Sequence, residues 1–149
     1  MRRFGFLSVI VVVTCLAGTL AHGGTADQIG IVKSVAGEVQ IVRDGRTVPA
    51  QTNQKLYQED VVETGPDGKA GLILADDTVV SLGPGSRFAV KQFEFQPREK
   101  KLSLIARIIR GTVSFISGQI AKLAPKKVRV ETPSATVGVR GTHLLIRVE

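Results

Sequence analysis

Residues 100–116 read KKLSLIARIIRGTVSFI, and the fold class of the chain turns on whether they form a helix or a strand. A helix would gather Leu102, Ile105 and Ile109 on one face. A strand would set Leu102, Leu104, Ala106 and Ile108 on one side, with Lys101, Ser103, Ile105, Arg107 and Ile109 on the other. β-Branched residues are frequent here, and Gly111-Thr112-Val113-Ser114-Phe115-Ile116 continues as a strand. The stretch is therefore read as β.

The sequence on either side agrees. Turn signals recur at short intervals: Ala36-Gly37, Asp44-Gly45, Gly65-Pro66-Asp67-Gly68, Asp76-Asp77, Gly83-Pro84-Gly85, Gln96-Pro97, Gly118 and Thr132-Pro133. Between them lie short runs rich in Val, Ile, Leu, Phe and Thr. Asp44-Gly45 can take the positive φ of a hairpin turn. The step from Phe88 and Val90 to Phe93 and Phe95 predicts a bulge that resets the register. Residues 117–127, SGQIAKLAPKK, can hold one short helical turn that Pro125 ends. The reading is an all-β chain of short, mostly antiparallel strands in one domain, built as two packed sheets, a roll or a short β-solenoid.

The chain opens with Arg2 and Arg3 ahead of an apolar run from Phe6 to about Ala17, followed by small residues. That is the three-part pattern of a secretory signal peptide, and the run is short for a membrane span. Cleavage after Ala21 or after Ala26 suits the small residues there. Residues 1–26 are accordingly read as a signal peptide, residues 27–149 as the mature β domain, and the location as periplasmic. The single cysteine, Cys15, leaves with the signal, so no disulfide framework is available and apolar burial must hold the core.

Loss of Arg2 and Arg3 takes the 20 Lys and Arg to 18, against 13 Asp and Glu, a net charge of +5. The charge is uneven: residues 27–86 carry five basic and nine acidic side chains, whereas residues 87–129 carry eleven basic and two acidic. A basic surface formed by Arg107, Arg110, Lys122, Lys126, Lys127 and Arg129 would suit an anionic partner such as a membrane surface, an anionic envelope polymer or nucleic acid. The plainer reading puts these side chains at the solvent positions of alternating strands. Export makes nucleic acid a poor partner.

Catalytic and metal motifs are absent from the sequence. At most two histidines, His22 and His143, survive cleavage, and they form no zinc-ligand spacing. No Walker spacing, GxSxG elbow or EF-hand loop occurs. His143 as a general base would need a nucleophile and an orienting acid that no motif supplies. The expectation is a binding protein without enzymatic activity, small-molecule substrate or cofactor.

Residues 131–143, ETPSATVGVRGTH, contain the candidate site. Pro133 fixes φ and turns Thr132 away from helix, so the preceding strand ends in a bend. Gly138 and Gly141 flank Val139-Arg140, offering positive φ or close backbone approach at both ends, and Thr142 can bond locally. Arg140 is read as an internal tie, its guanidinium bonded to carbonyls or to Glu59, Asp60 or Glu63. The alternative is that it projects to grip a carboxylate or a partner chain.

Taken in order, GEVQIVRDG, LYQEDVVETGPDGKAGLILADDTVVSLGPGS, RGTVSFISG and VETPSATVGVRGTHLLI resemble the FecR domain, the exported β-rich domain of ferric-citrate-type regulators. The residues that carry the resemblance include Asp60, Thr64-Gly65, Ser86, Gly111, Thr132-Pro133, Gly138, Arg140, Gly141 and Thr142. The resemblance implies a stand-alone exported FecR-domain protein acting as a binding or scaffold module, with a protein or an anionic envelope polymer as its partner. The alternative it implies is a component of transmembrane signalling for iron uptake, working through a separate membrane partner.

Overall fold

The computed structural model describes residues 27–149, so the signal-peptide segment, its two cleavage sites, Cys15 and His22 lie outside the described residues. Twelve strands follow in order: β1 Gln28–Ala36, β2 Val39–Arg43, β3 Arg46–Pro49, β4 Lys55–Tyr57, β5 Val61–Thr64, β6 Lys69–Leu74, β7 Val79–Leu82, β8 Arg87–Gln96, β9 Lys101–Ile116, β10 Val128–Glu131, β11 Thr136–Gly138 and β12 His143–Val148. The helix α1, Gln119–Leu123, and a 3-10 turn at Pro125–Lys127 separate β9 from β10.

The strand reading of residues 101–116 is borne out, and β9 organises the molecule. Its first half pairs antiparallel with β8 and parallel with β10. Its second half pairs antiparallel with β7 and β12. The hydrogen-bonded path runs β3-β2-β5-β8-β9-β7-β6-β1-β4 without a break. In place of the two separate packed sheets or stacked solenoid coils that strand spacing suggests, the chain forms one open sheet that curls over its own core. All pairings but β9 with β10 are antiparallel, as expected.

The curl has a local cause at Gly111. Upstream, Leu104, Ala106 and Ile108 are buried; downstream the buried residues are Val113 and Phe115. The inward parity therefore switches between Ile108 and Val113. The register against β8 slips at Ile109, between the Phe88–Ile108 and Arg87–Arg110 pairs, and two residues further on Gly111 sits at φ +88°. A Cβ here would collide with Ser86. Ser86, itself buried, accepts from Thr112 N–H at 3.0 Å and donates to Thr112 C=O at 3.1 Å. Its own N–H donates to Thr64 Oγ1 at 2.8 Å, and that hydroxyl donates to Gly83 C=O at 2.6 Å. Two small hydroxyls thus satisfy the backbone groups that the bend removes from the ladder.

The turns follow their sequence signals. Asp44 and Gly45, at φ 50° and 73°, close the two-residue β2–β3 hairpin. The β8 register slips between Val90 and Gln92, where the apolar spacing predicts a bulge. At Asp76-Asp77 the turn also forms a tether. The Asp76 carboxylate, fully buried, accepts from Thr78 N–H and Oγ1 and from Ile120 N–H at 2.9 to 3.2 Å. Thr78 Oγ1 in turn accepts from Gly118 N–H, so one acidic turn docks the start of α1. The core enclosed by these elements is apolar, with Phe88, Phe115, Ile41 and Leu72 fully buried. Side chains of that size contribute about 1.5–3 kcal/mol each on burial.

Candidate functional site

The β10–β11 hairpin and the loop after it carry most of the residues singled out in the sequence. Thr132 ends β10 in the expected bend: its N–H donates to Ala135 C=O at 2.8 Å, and its hydroxyl accepts from Ala135 N–H at 3.1 Å. Pro133 occupies the turn, where its missing N–H costs nothing. At the turn end of the hairpin a cavity of about 470 Å³ is lined by Arg107, Glu131, Thr132, Pro133 and Thr136 among others. At the open end, a smaller one of about 350 Å³ is lined by Pro125, Lys126, Val128, Arg129, Gly138, Val139 and Arg140.

The two cavities differ in charge. Arg107, facing outward, lies 3.0 Å from Glu131 and is paired there. Around the second cavity stand Lys126, Arg129 and Arg140 with no carboxylate in the lining. All three are exposed, and none has an ion-pair or hydrogen-bonded partner among the described residues. Val139 anchors the loop beneath them, being buried and close to Val128 C=O. The parity of β10 does the rest: Val128 and Val130 enter the core, which forces Arg129 out.

The expected role of Arg140 as an internal tie is corrected. Two of its proposed carboxylates are engaged elsewhere, Asp60 with Arg43 and Glu63 with Arg87, and Glu59 makes no ion pair with it. Arg140 is exposed to solvent instead. Gly138 is corrected too, since its φ is not positive and a Cβ added there would meet open space, whereas Gly141 does sit at φ +120°. Ser117 holds that end of the loop, donating from Oγ to Gly141 C=O at 2.6 Å and from N–H to Thr142 C=O at 3.0 Å. The other basic candidates are dispersed. Arg110 lies in β9 across from Arg87, Lys122 is exposed on α1, and Lys127 ends the 3-10 turn outside the cavity lining.

Sequence reasoning missed two clusters. Asp60, 5% exposed, accepts from Arg43 Nε at 2.8 Å and Nη2 at 2.6 Å, and from Tyr57 N–H at 2.9 Å. The guanidinium also stacks 4.6 Å from the Tyr57 ring centroid. The hydrogen bond to Asp60 raises the Arg43 pKa above its ordinary value, against an opposing effect of desolvation. No local signal links Arg43 to Asp60, because they meet only through strand pairing. The second is Ser114, whose Oγ lies 2.8 Å from His143 Nε2 across the β9–β12 pair. The contact is exposed and joins neighbouring strands, and among the described residues no carboxylate is hydrogen-bonded to the imidazole. No group of His, Cys, Asp and Glu among the described residues could hold a metal ion. No described helix is long and apolar enough to cross a membrane.

Compared with known proteins, the chain matches one family model, described as FecR protein, over residues 60–149. The matched region begins at the buried Asp60 and contains β5 to β12, with the Gly111 bend and the cationic cavity. No curated protein and no solved structure matches the chain.

Proposed function

Since the chain belongs to the FecR family, whose domain is associated with the regulation of iron-uptake signalling, we propose that it is a non-enzymatic binding module of the cell envelope. It works in the periplasm after export on its N-terminal signal, and its ligand is an anionic envelope polymer. The observation that carries this reading is the cavity beside β10 and β11, where Lys126, Arg129 and Arg140 converge without a compensating carboxylate. Three cations without an ion-pair partner among the described residues, set around one depression, attract anionic groups, and exposure leaves that attraction sensitive to salt.

Co-sedimentation with purified, protein-free wall polymer, at rising salt, tests it. The wild-type protein is expected to bind at low salt and to release as salt rises. A variant carrying Lys126→Glu, Arg129→Glu and Arg140→Glu is expected to lose binding while keeping its melting temperature. Binding that ignores both salt and the triple change would overturn the assignment. A second reading, a signalling component acting through a separate membrane protein, draws on the family's regulatory association. It predicts a change in iron-uptake gene expression on deletion of this chain that the triple variant still rescues.

A further inference from the structure

Among the described residues four strands border the sheet, and three of them are guarded. β3 ends in Pro49, which cannot donate to a further strand. β4 is three residues long and closes its end of the core through Leu56, 2% exposed. β11 is also three residues long, follows the Pro133 turn and stops at Gly138. β12 differs from all of these. It runs six residues, HLLIRV, pairs with β9 in unbroken register and contains no Pro, Gly or bulge. Among the described residues nothing pairs with its other edge.

The core is also unfinished at this border. Leu144, Ile146 and Val148 face inward but are only half-buried, beside Val113 and Phe115, which are fully buried in the neighbouring strand. On the outer face Leu145 is 70% exposed. A strand with alternating apolar side chains would cover the inward row and bond the free backbone groups together.

We propose that the occupant is β12 of a second copy, giving a two-fold dimer with one continuous sheet. Antiparallel pairing centred on Ile146 places Leu144 across from Val148 of the second copy, extending the inward apolar row without interruption. On the outer face it places Leu145 across from the aliphatic stem of Arg147, and His143 across from Glu149. No like charges meet directly, so the strand is complementary to itself in both apolar pattern and charge. The surface is distinct from the cationic cavity, and self-association does not depend on the anion-binding proposal.

Sedimentation velocity across a wide range of protein concentration tests this. The expected result is a monomer–dimer equilibrium that Leu145→Lys weakens by about tenfold or more, because lysine on an open edge opposes strand pairing. Val48→Lys, the same change at the exposed β3 border, is expected to leave the equilibrium as it was. Leu145 is largely exposed, so the variant should keep the wild-type melting temperature of the monomer, measured at the lowest concentration. In hydrogen exchange, protection at β12 should rise with protein concentration in the wild type and not in Leu145→Lys. A monomer at every concentration would overturn the proposal and leave the edge to a strand of a different protein. A dimer that both lysine variants weaken equally, or that neither weakens, would overturn it as well.

Discussion

Asp60 accepts three hydrogen bonds through its two oxygens while almost fully buried, so exchanging one oxygen for an amide NH2 sets a donor against a donor and removes the charge that pairs with Arg43. Asp60→Asn is expected to destabilise the protein by about 2 kcal/mol, seen as a lower urea midpoint with an unchanged slope. Gly111 is constrained for another reason. Any side chain there meets Ser86 and forces a β-carbon into positive φ, so Gly111→Ala should cost about 3 kcal/mol or more by thermal unfolding. Arg140 contrasts with both. Exposed and unpartnered among the described residues, it should be replaceable by Ala with less than about 0.5 kcal/mol change in stability, while salt-sensitive polymer binding falls. A drop in melting temperature with binding intact would restore it to a structural role.

At the level of elements, β9 illustrates how one strand serves two halves of a sheet. Its sixteen residues would be long for a flat strand, and the register slip at Ile109 with the bend at Gly111 divides them into two inward-facing sets of opposite parity. Helix α1 is the opposite case, a five-residue element too short to hold itself together. It persists because Asp76 accepts Ile120 N–H and Thr78 accepts Gly118 N–H. Asp76→Ala should therefore cost about 2–4 kcal/mol and should first release protection of residues 117–124 in hydrogen exchange, ahead of the sheet. Uniform loss of protection across all strands would show that the tether is not local to α1.

Across the whole molecule, β1 pairs with β4 and β6, and β10 returns beside β9, so most of the stabilising contacts join residues distant in sequence. Folding on a timescale of about milliseconds to seconds is expected by stopped-flow fluorescence of Tyr57. With no cysteine in residues 27–149, reductant should leave the melting temperature of that region unchanged. Much of this architecture was legible in the chain. Alternation with period two marked the strands, Asp44-Gly45 and Thr132-Pro133 marked turns, and the slip near Lys91 marked a bulge, because each depends on interactions within a few residues. The excess of cations in residues 87–129 was likewise a property of composition. What those cations do was decided elsewhere. Strand pairing neutralised Arg107 with Glu131, gave Asp60 to Arg43 and not to Arg140, and gathered Lys126, Arg129 and Arg140 around one cavity. Likewise, whether the strands formed two sheets or one depended on β9 bending at Gly111 and being shared by both halves. Local sequence determines which face of a strand a residue occupies, whereas its neighbours on that face come from other strands, and only the closed set of pairings selects them.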